Sequence, residues 1–183
     1  MQSIILGSNS ITRAELLDSF GVKFTQKGTS FDEESLDIQN PSHFVYRATV
    51  GKMNSFVEEF GLETPVLCAD TVVTSQGKLL RKAKDKDDAR RMLNLQSNNE
   101  VSIITCMIFK SLDTEIFDIS TTMYHFTEFD RNDLENYIQS GECMGKAGAI
   151  MVEGFCKPYI KEVVGYESTA MGLCIEKLLP YIK

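Results

Sequence analysis

Asp70 stands inside an otherwise apolar run, Val66-Leu67-Cys68-Ala69-Asp70-Thr71-Val72-Val73. A carboxylate placed there is costly unless it is hydrogen-bonded, paired or bound to a cation. Asp70 is therefore a candidate functional carboxylate, and equally an aspartate at a strand end or bulge. Nearer the N-terminus, Gly7-Ser8-Asn9-Ser10-Ile11-Thr12-Arg13 separates an apolar run from a stretch of helical spacing. A helix start offers free N–H groups and the positive end of the dipole. Two small hydroxyls and an arginine beside it suit a phosphate chain, although the same residues also describe an ordinary capped turn. No Walker lysine pattern and no G-x-G-x-x-G run occurs. Glu33, Lys52 and Lys82 each read alone as solvated surface, and Lys146-Ala147-Gly148 with Glu153-Gly154 reads as a glycine-rich loop.

The elements that must position these residues follow from periodicity. Residues 2–6 predict a buried strand, 7–12 a polar turn, and 13–20 a helix with Leu16, Leu17 and Phe20 on one side. Thr12 with Glu15 fits a capping box, with Ser10 as the alternative N-cap. Residues 43–60 predict a longer helix, 65–73 a strand, 75–77 a turn, and 85–95 a helix capped by Asp85. Residues 101–109 and 115–126 predict an antiparallel strand pair, 130–139 a short helix, 141–154 a loop, and 170–182 a helical tail broken late by Pro180. Strands and helices alternate, which predicts an α/β fold with a mixed sheet. The chain has 183 residues, 43% of them hydrophobic. That is enough for one sizeable core and favours a single domain, with two lobes around a cleft as the other arrangement.

Composition narrows the function classes. The formal net charge is -7, which argues against a polymeric nucleic-acid partner, since that needs a basic surface. A small anionic substrate needs only a local cluster of basic groups. The five cysteines form no C-x-x-C pair, and only His43 and His125 offer imidazole. A disulfide framework and a zinc site are both disfavoured. The opening MQSIILGSNS lacks the basic region and long apolar core of an export signal, and no run approaches a membrane span. Free thiols without such a signal point to the cytoplasm and away from membranes.

Together these pieces resemble the Maf proteins, the nucleoside triphosphate pyrophosphatases first named for septum formation. The run from Leu6 to Leu17 is similar to the family's opening signature. Asp32-Glu33 falls at its Asp-Glu pair, Lys52 at its helix lysine, and Ala69-Asp70-Thr71-Val72-Val73 at its central signature. Gly77, Lys82, Ala89, Met92-Leu93, Ser97 and Thr105 follow in register. Tyr137, Ser140-Gly141-Glu142, Lys146-Ala147-Gly148-Ala149, Glu153-Gly154 and Gly172-Leu173 match the C-terminal signatures. The likeness covers nearly the whole chain in order. Ile11 and Thr12 depart from the usual Pro-Arg, Ala83 from a proline, Asn98 and Val101 from a glycine and a histidine, and Ile150 and Met151 from an aromatic residue and a glycine. Glu153 stands where many members have glutamine.

The resemblance implies an elongated mixed sheet flanked by helices, inosine-triphosphatase-like, with two lobes around a nucleotide-binding cleft, formed by one domain over residues 1–183. It implies hydrolysis of a nucleoside triphosphate to the monophosphate and pyrophosphate. Asp70 would be the general base, and Glu33 and Asp70 the ligands of Mg²⁺ or Mn²⁺. Ser8, Ser10, Arg13, Lys52 and Lys82 would hold the phosphates. Thr12, Thr71 and Glu153 fall where the family selects the base. Thr71 is similar to the pyrimidine-preferring subgroup, Glu153 to the subgroup that takes 7-methyl-GTP, and Thr12 to neither. A carboxylate accepts two adjacent donors from guanine but faces two carbonyls on uracil, which favours a guanine-type or modified purine. A homodimer is left open. The family name also admits two rivals: a protein that acts through a cell-division partner, and a nucleotide-binding regulator without turnover.

Overall fold

The computed structural model describes residues 3–182; Gln2, the first residue of the expected N-terminal strand, lies outside them. The chain forms β1 (Ile4–Leu6), α1 (Ile11–Ser19), β2 (Phe24–Gln26), α2 (Pro41–Phe60), β3 (Val66–Ser75), β4 (Lys78–Leu80), α3 (Lys86–Gln96), β5 (Glu100–Lys110), β6 (Glu115–Phe126), α4 (Arg131–Ser140), β7 (Ile160–Val164), α5 (Glu167–Ala170) and α6 (Ile175–Ile182). Short 3-10 turns occupy Glu33–Ser35 and Lys157–Tyr159. The seven strands make one sheet in the order β2-β1-β3-β5-β6-β7, with β4 beside β3. β1 runs parallel to β2 and to β3, while β3/β4 and β6/β7 are antiparallel. The expected α/β class with a mixed sheet flanked by helices is the one found.

Several boundaries differ from expectation for local reasons. The first helix is capped by Ser10, whose side chain accepts from Arg13 N, and not by Thr12. It therefore starts two residues earlier than the apolar spacing suggested, because exposed Ile11 adds nothing to the pattern. Asn40 caps α2, with Pro41 at its first turn, where a missing N–H costs nothing. The expected C-terminal helix over 170–182 is interrupted: α5 ends at Ala170 and α6 begins at Ile175. Gly172 between them has φ +106, which no helical residue adopts. β2, β4 and β7 were not expected. The first two have three residues each, too few to display a period.

The chain divides into two compact units, the first built from residues 3–71, 105–120 and 166–182, the second from 72–104 and 121–165. In the first unit, successive residues of β3 serve opposite faces, as strand geometry demands. Leu67 and Ala69 pack with Leu16, Leu17, Leu173, Ile175 and Leu178 of the α1 and α6 side. Val66 and Cys68 pack with Met53 and Phe56 of α2. In the second unit Phe129 lies at the centre of an aromatic group with Phe126, Phe155 and Tyr159, and Phe155 stacks on Tyr137 with ring centroids 4.4 Å apart. Among the described residues no helix is long and apolar enough to cross a membrane.

Candidate active site

The alternation of β3 continues past its apolar residues. Asp70 follows Val66 and Cys68 onto the α2 face, and Thr71 follows Leu67 and Ala69 onto the α1 face. Each meets a cation from the helix it faces. Lys52 of α2 lies one helical step from the buried stripe of Val45, Thr49 and Phe56, so its ammonium reaches the sheet. Its Nζ lies 2.6 Å from Asp70 Oδ1 and is also paired with Glu33. Asp70 is buried, and Lys52 and Glu33 are nearly so.

Glu33 reaches this lysine from a loop, and the residue beside Lys52 explains how. A Cβ at Gly51 would lie 2.2 Å from the ring of Phe31. Only glycine lets that ring rest on the helix, and the ring brings the turn at Glu33–Ser35 against it. Asp32 then caps the turn, accepting from Glu34 N at 2.9 Å.

Arg13 approaches Thr71 from the other face. Its Nε donates to Gly172 O at 2.9 Å, its Nη1 to Ser8 Oγ at 3.1 Å and its Nη2 to Thr71 Oγ1 at 3.1 Å. Among the described residues its acceptors are thus neutral oxygens, although the side chain is buried. A guanidinium carries five N–H groups, so one on each Nη remains. Ser8 also accepts from Ser10 N at 3.2 Å, which folds the Gly7–Ser10 turn over the start of α1. The structure therefore brings Ser8, Ser10, Arg13, Thr71, Asp70, Lys52 and Glu33 together in the first unit. Thr12 is half-buried on α1.

The electrostatics follow from burial. Burial raises the Asp70 carboxyl above its ordinary value, against the pull of Lys52, and nearby Glu33 raises it further. Burial lowers Arg13, while Asp70 and Glu33 oppose that. The five cysteines are free and buried. Burial pushes Cys68, Cys106 and Cys156 up to about 12, so none is a ready thiolate. The titratable groups poised for chemistry are oxygens and cationic nitrogens.

Lys82 and Glu153 belong to the second unit. Lys82 pairs with Ala147 in an isolated antiparallel bridge, and Gly148 N donates to Arg81 O at 2.9 Å. The Lys146–Ala149 loop is thereby stitched to the segment that carries Lys82. Buried Gln96 adds a third tie, donating to Gly148 O at 2.7 Å. Glu153 is exposed in a turn.

A family described as Maf-like protein matches residues 3–183. The chain belongs to that family. A nucleoside triphosphate pyrophosphatase of a Nitratiruptor species is 53% identical over 182 residues, which cover 98% of each chain. Another from Helicobacter pylori is 39% identical over 180 residues, covering 98% of this chain and 95% of the relative. Among solved structures, a HAM1 protein from Coxiella burnetii aligns with a TM-score of 0.46 and 12% identity, over 69% of this chain and 73% of that one. Against this Maf-like background two contributors had no assigned role in the sequence. Thr105 stood out there only for its spacing, although a polar residue in an apolar strand is the same signal that marks Asp70. Gly172 stood out as part of a signature, and its carbonyl holds Arg13.

Proposed function

We propose that this Maf-like chain hydrolyses nucleoside triphosphates to the monophosphate and pyrophosphate. The observation that carries the reading is the buried cluster itself: Asp70 and Glu33 converge on one ammonium, and Arg13, beside the β1–α1 turn, is hydrogen-bonded to neutral acceptors among the described residues. A buried cation without a bonded counter-ion is a place for an anion. The pyrophosphatase names of relatives that match 98% of the chain support the same conclusion. Residues 1–183 are read as one domain serving this reaction.

Release of pyrophosphate requires water to attack the α-phosphate while the charge of the phosphates is screened. Asp70 takes the proton of that water. Burial makes its carboxylate a stronger base than an exposed aspartate. Ser8, Ser10 and the free N–H groups of the first turn of α1 meet phosphate oxygens, and Arg13 adds its two remaining N–H groups. Lys52 and Lys82 are the further phosphate-holding cations.

Two carboxylates that already converge on one cation fit a divalent ion of the hard, oxygen-loving kind. Glu33 and Asp70 would hold Mg²⁺ or Mn²⁺, which would screen the phosphates and lower the pKa of a bound water. No three of His, Cys, Asp and Glu cluster among the described residues, so oxygens of substrate and water would complete the shell.

Incubation with a panel of triphosphates and Mn²⁺, with pyrophosphate measured, tests the proposal. Steady release is the expected result. Nucleotide binding without release would leave a regulator in its place, and no binding at all would leave a protein that acts through a partner.

A further inference from the structure

Thr71 is one of the positions that the resemblance assigns to base selection, but its hydroxyl is already committed on both sides. Arg13 Nη2 donates to Thr71 Oγ1 at 3.1 Å, and Thr71 Oγ1 lies 2.8 Å from Thr105 Oγ1. Thr105 Oγ1 in turn donates to Thr169 O at 2.7 Å. A carbonyl can only accept, and a hydroxyl has a single proton. Thr105 spends its proton on Thr169 O, so Thr71 must donate to Thr105. The chain of hydrogen bonds has one direction: Arg13 to Thr71, Thr71 to Thr105, Thr105 to the Thr169 carbonyl. Thr71 then has no donor left for a base carbonyl, which is what recognition of uracil or thymine oxygens would require.

The partners of Arg13 complete the picture. Thr105 is buried, and the acceptor Thr169 O belongs to α5 while Gly172 O lies in the link between α5 and α6. Gly172 also lies so close that a Cβ there would be 3.0 Å from Arg13 Nε. Ser8 holds the remaining bonded nitrogen. The guanidinium is therefore fixed in plane and rotation from three sides, which matters because bidentate recognition of a phosphate depends on the orientation of the fork.

We propose that Thr71 and Thr105 are positioning residues: they hold the Arg13 fork toward the phosphates, and Thr71 does not read the base. The proposal rests on the pyrophosphatase reading above and refines its specificity. A fixed fork serves every base alike, so loosening it slows all triphosphates by the same factor. A base reader, once altered, changes their ratio.

The experiment compares Thr71→Val, Thr71→Ser, Thr105→Val and Thr105→Ser with wild type on GTP, 7-methyl-GTP, UTP and dTTP. It records kcat and KM for each, and the water exchange of the Arg13 Nε–H by ¹⁵N NMR. Both valine variants are expected to lose about 10-fold or more in kcat/KM on every triphosphate, the scale of a slightly misplaced group. Ratios between bases stay as in wild type, and both serine variants recover, since serine keeps the hydroxyl. Arg13 Nε–H exchange accelerates in Thr105→Val. A changed base ratio in either Thr71 variant, or wild-type kinetics in both valine variants, overturns the proposal. Should Thr105→Val not fold, Thr71→Val at its half-buried site carries the same comparison. If wild type releases no pyrophosphate from any triphosphate, the functional reading fails instead. The relay is then judged by Arg13 Nε–H exchange, and unchanged exchange in the valine variants overturns it.

Discussion

Lys52 Nζ lies 2.6 Å from Asp70 Oδ1 while it is also paired with Glu33, so the carboxylates read as cation ligands already share a cation supplied by the chain. Like charges brought together in a buried place repel unless something positive stands between them. Lys52 supplies that charge between the two carboxylates.

Removal of that charge should expose the repulsion. Breaking a buried ion pair by deleting one partner costs about 3 kcal/mol or more. Lys52→Gln is expected to melt well below wild type in the presence of a chelator and to regain much of the difference with excess Mn²⁺. Wild type should lose less stability on chelation. Thermal unfolding with and without the ion checks this. A variant as stable as wild type in chelator, or one that Mn²⁺ does not rescue, would show that Lys52 is not the balancing charge.

Asp70→Asn keeps the shape of the side chain and removes its charge and basicity. Lys52 retains Glu33 as partner, so the fold should persist. Turnover is expected to fall at least ~10²-fold, the usual scale for a lost general base. Initial rates on the folded variant decide it, and near-normal turnover would remove Asp70 from the base's role.

Gly172→Ala combines two costs. φ is +106, in the region that favours glycine, and the added carbon meets Arg13 Nε at 3.0 Å. A loss of about 1–3 kcal/mol is expected from strain of this kind, together with weaker triphosphate binding. Denaturant unfolding and calorimetry on a non-hydrolysable analogue measure the two effects. Unchanged binding would sever Gly172 from the function of Arg13.

The start of α3 makes a pH-dependent prediction. Asp85 caps the helix through Asp88 N at 2.8 Å, and Asp88 reaches back to Lys84 N at 3.2 Å. Burial raises the Asp88 pKa, but the hydrogen bonds from Arg91 and Lys84 N and the nearby positive charges outweigh it, so the net shift is downward. A carboxyl lower in the folded than in the unfolded chain stabilises above its unfolded value, about 3.9. That stability is lost as pH falls through the lower folded value. Asp88→Asn should cost about 1 kcal/mol at neutral pH, and its gap to wild type should narrow as pH falls below the unfolded value and through the lower folded one. Urea titrations at neutral and acid pH check this. A gap that persists undiminished in acid would show that the charge of Asp88 is not what stabilises the helix start.

Base choice is tested at Glu153, which is exposed in its turn. An ionised carboxylate accepts the two adjacent donors of guanine and repels the carbonyls of uracil. Wild type is expected to favour GTP or 7-methyl-GTP over dTTP and UTP, and Glu153→Gln to shrink that preference. Values of kcat/KM for the four substrates decide. A pyrimidine preference that the substitution leaves intact would show that Glu153 reads nothing.

Much of the scaffold was legible because it is local. The helix found at 86–96 was expected over 85–95 from Asp85 as N-cap and the acids of its first turn, and it buries Ala89, Met92 and Leu93. The strand pair found at 100–110 and 115–126 was expected over 101–109 and 115–126 with a short link between them, which Ser111 N closes onto Thr114 O at 2.8 Å. β2 and β7 were not, since pairing with a neighbour makes them strands more than their own residues do. Ser10 and Thr12 are both good caps, and only the backbone path shows that Ser10 is the one used.

For the candidate site, residue type and neighbourhood determined which groups matter. Asp70 stands out because a carboxylate in an apolar strand needs a partner, and Ser8, Ser10 and Arg13 stand out because they share one turn and helix start. Tertiary structure alone decided what each of them touches. Arg13 meets Gly172, 159 residues away, and Thr71 meets Thr105, 34 residues away. Lys52 could as well have been solvated, until α2 laid its buried stripe on β3. Periodicity reports which face of an element is buried, but hydrogen bonds between elements depend on angstrom-scale placement of several packed elements at once. That placement is why Thr71, similar by type to a base reader, has its proton committed to Thr105.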